Sequence, residues 1–323
     1  LTLGDTSRPW WLIAFAAAIV NMSYRSRPLR SEEKPCYSAA MALKPRIAIV
    51  GAGRLGSALA VALRRAGYRI TQIVSRDNIA SRRKARALAK RVHAVTTVAN
   101  SHVDADLVWF CVPDREIRKA AQRLARSTDW KGKAAFHSSG ALASDELQVL
   151  RRRGAVAASV HPLMTFAQVS VPSLQGIPFA LEGEPAGLRV ARKIVRDLGA
   201  EEFSISKQRK PAYHAWGGFT SPLLIALLVT GEKVARAAGL SAPEARKKML
   251  PILRQTLANY AKLGPAAAFT GPIGRGDTRV VRKHVKELKK IPGAKEVYLA
   301  LARAGFRYLP VRNRKELEKL LKS

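Results

Sequence analysis

Residues 46–56 read RIAIVGAGRLG, and this stretch decides the fold. Arg46–Val50 is a short apolar run, after which Gly51, Ala52, Gly53, Arg54, Leu55 and Gly56 form the pattern G-x-G-x-x-G. Glycines recur by chance, so the pattern means something only between a strand and a helix. An apolar strand precedes it here, and Ser57–Ala66, rich in Ala and Leu, follows with helical composition up to a stop at Gly67. In that setting Gly51 permits a tight turn, Gly53 lets backbone approach a diphosphate, and Gly56 lets helix and strand pack closely. The unpaired N–H groups of the helix start then face the phosphates. The stretch predicts a dinucleotide cradle.

Further strands are expected at Tyr68–Val74, Val95–Val98, Asp106–Val112, Lys133–His137 and Ala155–His161. Helices are expected between them at Ile79–Arg91, Asp114–Arg126 and Leu142–Arg152. Asp106–Val112 (DLVWFCV) is continuously apolar, as strands covered on both faces are. This alternation predicts an α/β fold with a doubly wound, mostly parallel Rossmann sheet. Two more short strands, Pro178–Leu181 and Glu202–Ile205, flank a helix over Ala186–Leu198.

From Lys207 the alternation stops. Helices are expected over Lys210–Ala238, Ala242–Leu263, Val280–Lys290 and Ala294–Ala304. The chain therefore divides near residue 206, into a Rossmann domain over 41–206 and an all-α C-terminal domain over 207–323. The first of these helices is apolar around much of its circumference, so it should be buried inside its domain or against a second subunit.

Cofactor choice is read where the second strand ends, at Ser75-Arg76-Asp77. An NAD site usually has a carboxylate there to accept from the ribose hydroxyls. A hydroxyl beside a guanidinium suits a 2′-phosphate instead, because Arg can bind it through two parallel hydrogen bonds. Arg82 and Arg83 can add to that field, while Asp77 is the feature that would favour NAD. NADP(H) is the expected cofactor and NAD the less favoured one. The turn after Asp106–Val112 places the backbone of Val112 and Pro113 along the expected nicotinamide half.

Lys and Arg number 57 against 23 Asp and Glu, a formal net charge of +34. Such a field attracts polyanions. The excess is spread along the chain, and no aromatics alternate with the basic runs as a base-stacking platform requires. The charge is therefore read mainly as a solvated helix surface, with a nucleic-acid partner disfavoured. Two cysteines, Cys36 and Cys111, cannot make a disulfide framework, and no Cys/His cluster has zinc spacing, so no metal is expected. These features fit a cytoplasmic protein. Residues 1–40 include the apolar run Trp10–Val20 and read as an extension ahead of a start at Met41. A membrane anchor is the alternative reading of that run.

With these residues in place, the chain resembles the Rossmann-like proteins joined to a helical domain of unknown function 2520, relatives of pyrroline-5-carboxylate reductase and the β-hydroxyacid dehydrogenases. The resemblance rests on GAGRLGSAL (51–59), FCVPD (110–114), HSSG (137–140), HPLMTF (161–166), GIPFALEG (176–183), YHA (213–215) and TGPIGRGD (270–277). It implies a dinucleotide cofactor, the two-domain architecture and a homodimer through the helical domain. Pro222 stands where relatives often carry Asn, so a polar side chain that could orient substrate is absent.

Hydride transfer to a carbonyl or imine needs an acid for the product heteroatom and donors that hold the substrate. The C-terminal ends of parallel strands gather such groups. His137, Ser138 and Ser139 lie at one expected strand end and His161 at another. An imidazole ordinarily titrates near neutrality, so both histidines are expected as acid or base, and both serines can donate to a carboxylate or carbonyl. Lys210 and His214 are four apart on one helix face, with Tyr213 beside them. The resemblance makes Lys210 or His214 the best acid candidate, since the β-hydroxyacid dehydrogenases offer a catalytic lysine from this helix. Arg275 and Asp277 can close a Gly/Pro-rich loop over an anionic substrate or brace a helix junction.

The residues together predict an NADP(H)-dependent oxidoreductase acting on a small, anionic carbonyl, imine or hydroxy compound. A dinucleotide-binding sensor or partner protein without turnover is the second reading, and a basic nucleic-acid binder the third.

Overall fold

The computed structural model describes residues 44–166 and 172–322. The reading of residues 1–40 as an extension, and Cys36 with it, lies outside these.

The first strand, β1, spans Ile47–Val50, followed by β2 (Ile70–Ser75), β3 (Val95–Val98), β4 (Leu107–Phe110) and β5 (Ala134–His137). Then come β6 (Val156–Pro162), β7 (Pro178–Gly183) and β8 (Glu201–Ser204). They form one sheet in the order β3-β2-β1-β4-β5-β6-β7-β8, parallel except where β7 runs antiparallel to β6. The reversal of order beside β1 opens a crevice at the carboxyl ends of β1 and β4.

Period-two alternation divides the strand residues between two helical layers. Ile47, Ile49 and Trp109 pack with α1 (Arg54–Arg65), α2 (Ile79–Val92) and α5 (Pro185–Asp197), through Leu59, Leu63, Leu88 and Ile194. Ala48, Val50, Val108 and Phe110 pack with α3 (Asp114–Ser127) and α4 (Gln148–Arg151), through Ile117, Leu124 and Leu150. Strand residues on both faces are thus fully covered, which is why β4 reads as an unbroken apolar run. The expected helix Leu142–Arg152 is instead a 3-10 turn at Ser144–Leu147 followed by the single turn α4. There the Ser144 N–H and hydroxyl both donate to the buried Glu182 of β7, which holds the backbone tight.

The chain divides into two units after Ala215, inside α6 (Lys210–Thr220), so Lys210, Tyr213 and His214 belong to the first. The expected single helix Lys210–Ala238 breaks at Ser221, and α7 spans Pro222–Ala237. Pro222 has no N–H to give and disfavours helical geometry at the residue before it, so it starts a helix and does not continue one. In the second unit α8 (Ala242–Ala268) begins with a Ser241–Glu244 capping box and kinks at Gly264. Three helices, α10 (Thr278–Leu288), α11 (Ala294–Tyr308) and α12 (Arg314–Lys322), close a small core of Val281, Val285, Phe306, Leu317 and Leu321. The sequence reading missed α12 and the short α9 (Pro272–Arg275).

The expectation of a buried first helix fails within this chain. None of α7 is buried, and Leu223, Ile225 and Val229 are each about half exposed. On α8, Ile252, Leu257 and Leu263 are exposed as well.

Candidate functional site

The glycine turn after β1 is built by close contacts. Gly51 sits at φ +105°, and a Cβ there would come 2.7 Å from the Cys111 carbonyl oxygen. A Cβ on Gly56 would come 2.0 Å from the Gly51 carbonyl oxygen. Gly53 differs, since nothing lies within 4 Å of the place its Cβ would take. No side chain caps α1 and no acid stands in its first turn, so its leading N–H groups and positive dipole end stay available.

This turn borders a cleft of about 320 Å³ in the first unit. Gly51, Ala52, Gly53, Ser75, Arg76, Val112 and Pro113 line it, as expected. Arg54, Leu55 and Gly56 do not line it but form the first turn of α1. Sequence reasoning missed Asn78, Ser81 and Lys84 of the α2 start, together with Arg123 of α3. Ser81 and Lys84 are three apart on one helix face, a signal that was readable. Arg123 had none, because an element forty residues further on delivers it.

Arg76 has no ion-pair partner among the described residues. Asp77 is held in a close ion pair by Arg82, and neither lines the cleft. The Asn78 side chain accepts from the Ser81 N–H at 2.9 Å and caps α2. Lys84 and Arg123 add two further cations to the cleft, which Arg82 and Arg83 do not line. Free backbone N–H groups, two guanidiniums, an ammonium and hydroxyls, with Glu116 the one carboxylate lining the cleft, make a donor set suited to a polyanionic ligand.

The second cluster lies where β5 and β6 end. His137 is fully buried, its Nε2 is 2.9 Å from the Ala143 carbonyl oxygen, and its Nδ1 accepts from the Ser139 N–H at 3.1 Å. Burial pushes its pKa down to about 4. Both ring nitrogens are used, so His137 is a structural histidine and not the acid its position suggested. Ser138 accepts from the Trp109 indole N–H at 2.8 Å. The Ser139 hydroxyl donates to Asp114 at 2.9 Å and accepts from the Ala141 and Leu142 N–H groups. The Ser139 hydroxyl is spent within the turn and Ser138 is buried against Trp109, so neither is exposed to hold substrate.

Lys210 is also fully buried, donating to the Ser139 carbonyl at 3.1 Å and the Ser159 hydroxyl at 2.8 Å. Burial lowers its pKa to about 8, against the opposing pull of Glu182 and Asp114. The Tyr213 hydroxyl lies 2.6 Å from Nδ1 of the half-buried His161. Burial holds the His161 pKa down to about 4, with Lys210, His214 and His137 adding to the shift. His214 is exposed, its ring centroid 6.3 Å from that of His161. Both rings crowd Gly140, where a Cβ would come 2.6 Å from His214 Cδ2 and 3.0 Å from His161 Nε2. In the second unit Asp277 accepts from the Val280 N–H and caps α10, and it makes no ion pair with Arg275.

The sheet order and the glycine turn define a protein of the Rossmann class. Residues 33–162 match the Rossmann-like domain and residues 177–304 match a domain of unknown function (DUF2520). The chain joins these two domains, as the sequence resemblance implied. No curated protein matches it. A Thermotoga maritima protein is 26% identical, with 84% of this chain and 99% of that one covered, at a TM-score of 0.62. A Bacteroides fragilis protein described as a candidate NADP oxidoreductase is 24% identical over 81% of this chain and 97% of its own, at a TM-score of 0.68. An imine reductase from a Pseudomonas species is 18% identical over 81% and 94%, at a TM-score of 0.56. At such identities the last two are likenesses of fold.

Proposed function

We propose that the protein is an NADP(H)-dependent oxidoreductase that reduces or oxidises a small, anionic carbonyl, imine or hydroxy compound. One observation carries this reading: the unobstructed Gly53 beside the uncapped start of α1, in a cleft that also presents Arg76, Ser81 and Lys84. Backbone around residues 51–56 would hold the diphosphate, while Arg76, with Ser75, Ser81 and Lys84, would hold the 2′-phosphate. Bound there, the nicotinamide supplies or accepts hydride. The fold neighbours described as NADP oxidoreductase and imine reductase support the choice of chemistry. The buried charge of Lys210, felt at His161, favours an electron-rich or anionic substrate. Fluorescence titration with NADPH and NADH tests the cofactor, followed by NADPH oxidation against panels of keto acids, aldehydes and imines.

Pro222 opens α7 with no hydrogen-bonding side chain, and this favours a second reading, a dinucleotide-binding sensor without turnover. Tight NADPH binding with silence across all substrate panels would select it.

The working form in this proposal is a homodimer through α7 and α8. Leu223, Ile225 and Val229 of α7 and Ile252 and Leu257 of α8 are large apolar side chains left exposed, and a second copy of the chain would cover them. By length and composition Lys207–Ala237 is also apolar enough to cross a membrane. However, Ser221 interrupts it, Lys210 anchors its start in the first unit, and the 16 residues of α7 fall short of the roughly 20 a span needs. A second copy of the chain fits this face better.

A further inference from the structure

We infer that His161 hands a proton to the heteroatom of a bound substrate, that Tyr213 resupplies it, and that Lys210 is a positioning residue behind them. This assigns roles within the oxidoreductase site proposed above and rests on that reading.

Access separates Lys210 from His161. Lys210 spends its ammonium on Ser139 and Ser159 and has no exposed surface, so it cannot touch a substrate while those bonds hold. His161 is only half-buried. Its Nδ1 is engaged by Tyr213, and its Nε2 has no hydrogen-bond partner among the described residues and is not a sealed atom. That Nε2 edge faces Gly140, whose missing side chain leaves it uncovered.

The relay needs one tautomer of the pair. Burial pushes the Tyr213 hydroxyl up to about 12, so it keeps its proton at pH 7 and can donate it to Nδ1. With that direction the ring proton is on Nε2. The charged and titratable groups around His161 are Lys210, His214 and His137, each of which disfavours a second proton on the ring. The carboxylates that offset Lys210, Glu182 and Asp114, are occupied by Ser144 and Ser139. His161 is therefore a neutral Nε2–H donor at pH 7.

When hydride adds to a carbonyl carbon, the electron pair of the C=O π bond moves to oxygen. That oxygen takes the Nε2 proton, Nδ1 takes the phenol proton, and the pair from the O–H bond stays on Tyr213 as phenolate. An alkoxide is a far stronger base than a phenolate, so the relay runs downhill. Water returns the proton after product leaves. Lys210 lies three residues, about one helical turn, before Tyr213 on α6. By tying α6 to the loop after β5 and to β6 itself, it also fixes Tyr213 against His161.

The test is ¹⁵N NMR of histidine side chains in the full-length protein, with the His161 signal assigned from His161→Gln. The wild type is expected to hold one Nε2–H tautomer at pH 7 and to titrate below pH 5. Tyr213→Phe should mix the tautomers. Lys210→Met should raise the His161 midpoint by about one pH unit, a tenfold gain in proton affinity. A charged ring or an Nδ1–H tautomer at pH 7, or a Tyr213→Phe spectrum identical to wild type, overturns the assignment. If Lys210→Met fails to fold, the Tyr213→Phe spectrum decides. NADPH titration of the same sample separates the two levels. Failure of the wild type to bind NADPH overturns the oxidoreductase reading, and binding with the wrong tautomer overturns only the His161 role.

Discussion

A Cβ on Gly56 would stand 2.0 Å from the carbonyl oxygen of Gly51, whereas one on Gly53 would meet nothing within 4 Å. The two glycines therefore do different work. Backbone blocks the first position, and overpacking of that severity costs about 3 kcal/mol or more. Gly56→Ala is expected to lower the melting temperature sharply. At φ −79° Gly53 accepts any residue, so Gly53→Ala should melt at or slightly above the wild-type temperature. Its new methyl would meet the diphosphate, and NADPH affinity should drop at least about tenfold, a loss of roughly 1.4 kcal/mol. Equal NADPH affinity in Gly53→Ala and wild type would argue against the cradle.

Arg76 is the cation at the end of β2, with no ion-pair partner among the described residues. Removing a charge-assisted hydrogen bond costs about 1.5–3 kcal/mol, so Arg76→Ala should weaken NADPH roughly ten- to hundredfold. NADH, which has no 2′-phosphate, should be unaffected. Fluorescence titration of both cofactors measures the ratio, and an equal loss for both would contradict the phosphate assignment.

Acid should destabilise the fold through its buried histidines. The folded chain holds His137 near pKa 4, while the unfolded chain binds that proton near 6.5. Between those values the unfolded state carries more protons, so stability is complete above about pH 6.5 and falls as pH drops toward 4. His137 has no exposed surface and contributes up to about 3 kcal/mol to that loss. His161 adds in the same direction. Urea denaturation at pH 7, 5.5 and 4.5 should show the fall, with a shallower pH dependence in His137→Asn.

The apolar face of α7 and α8 predicts an assembly. Light scattering should give a mass near twice 35.2 kDa. Ile225→Asp combined with Ile252→Asp should give a monomer, because charge on both helices makes burial of that face unfavourable. A wild-type mass of one chain at micromolar concentration would remove the dimer from the proposal.

The inner strands were legible because both faces of the sheet are covered there, which leaves apolar runs such as 107–110 that need no tertiary information to read. Seven cleft-lining residues were legible for a related reason. The glycine turn and the ends of β2 and β4 are local structure, set by residues adjacent in sequence. Lys84 and Arg123 were harder, since their place in the cleft depends on which faces α2 and α3 turn toward it. The break at Ser221 was readable from Pro222 but was outweighed by the apolar run around it.

Taken alone, the sequence determined the Rossmann class, the cradle and the cation at residue 76, because backbone geometry and periodicity are short-range properties. Tertiary structure alone decided which polar side chains are spent inside the protein. His137, Ser138, Ser139 and Lys210 look as reactive as His161 when read as letters, yet burial and hydrogen bonds commit all four. Solvation and partner count belong to the packed chain, and they are what separate a structural polar group from one available for chemistry.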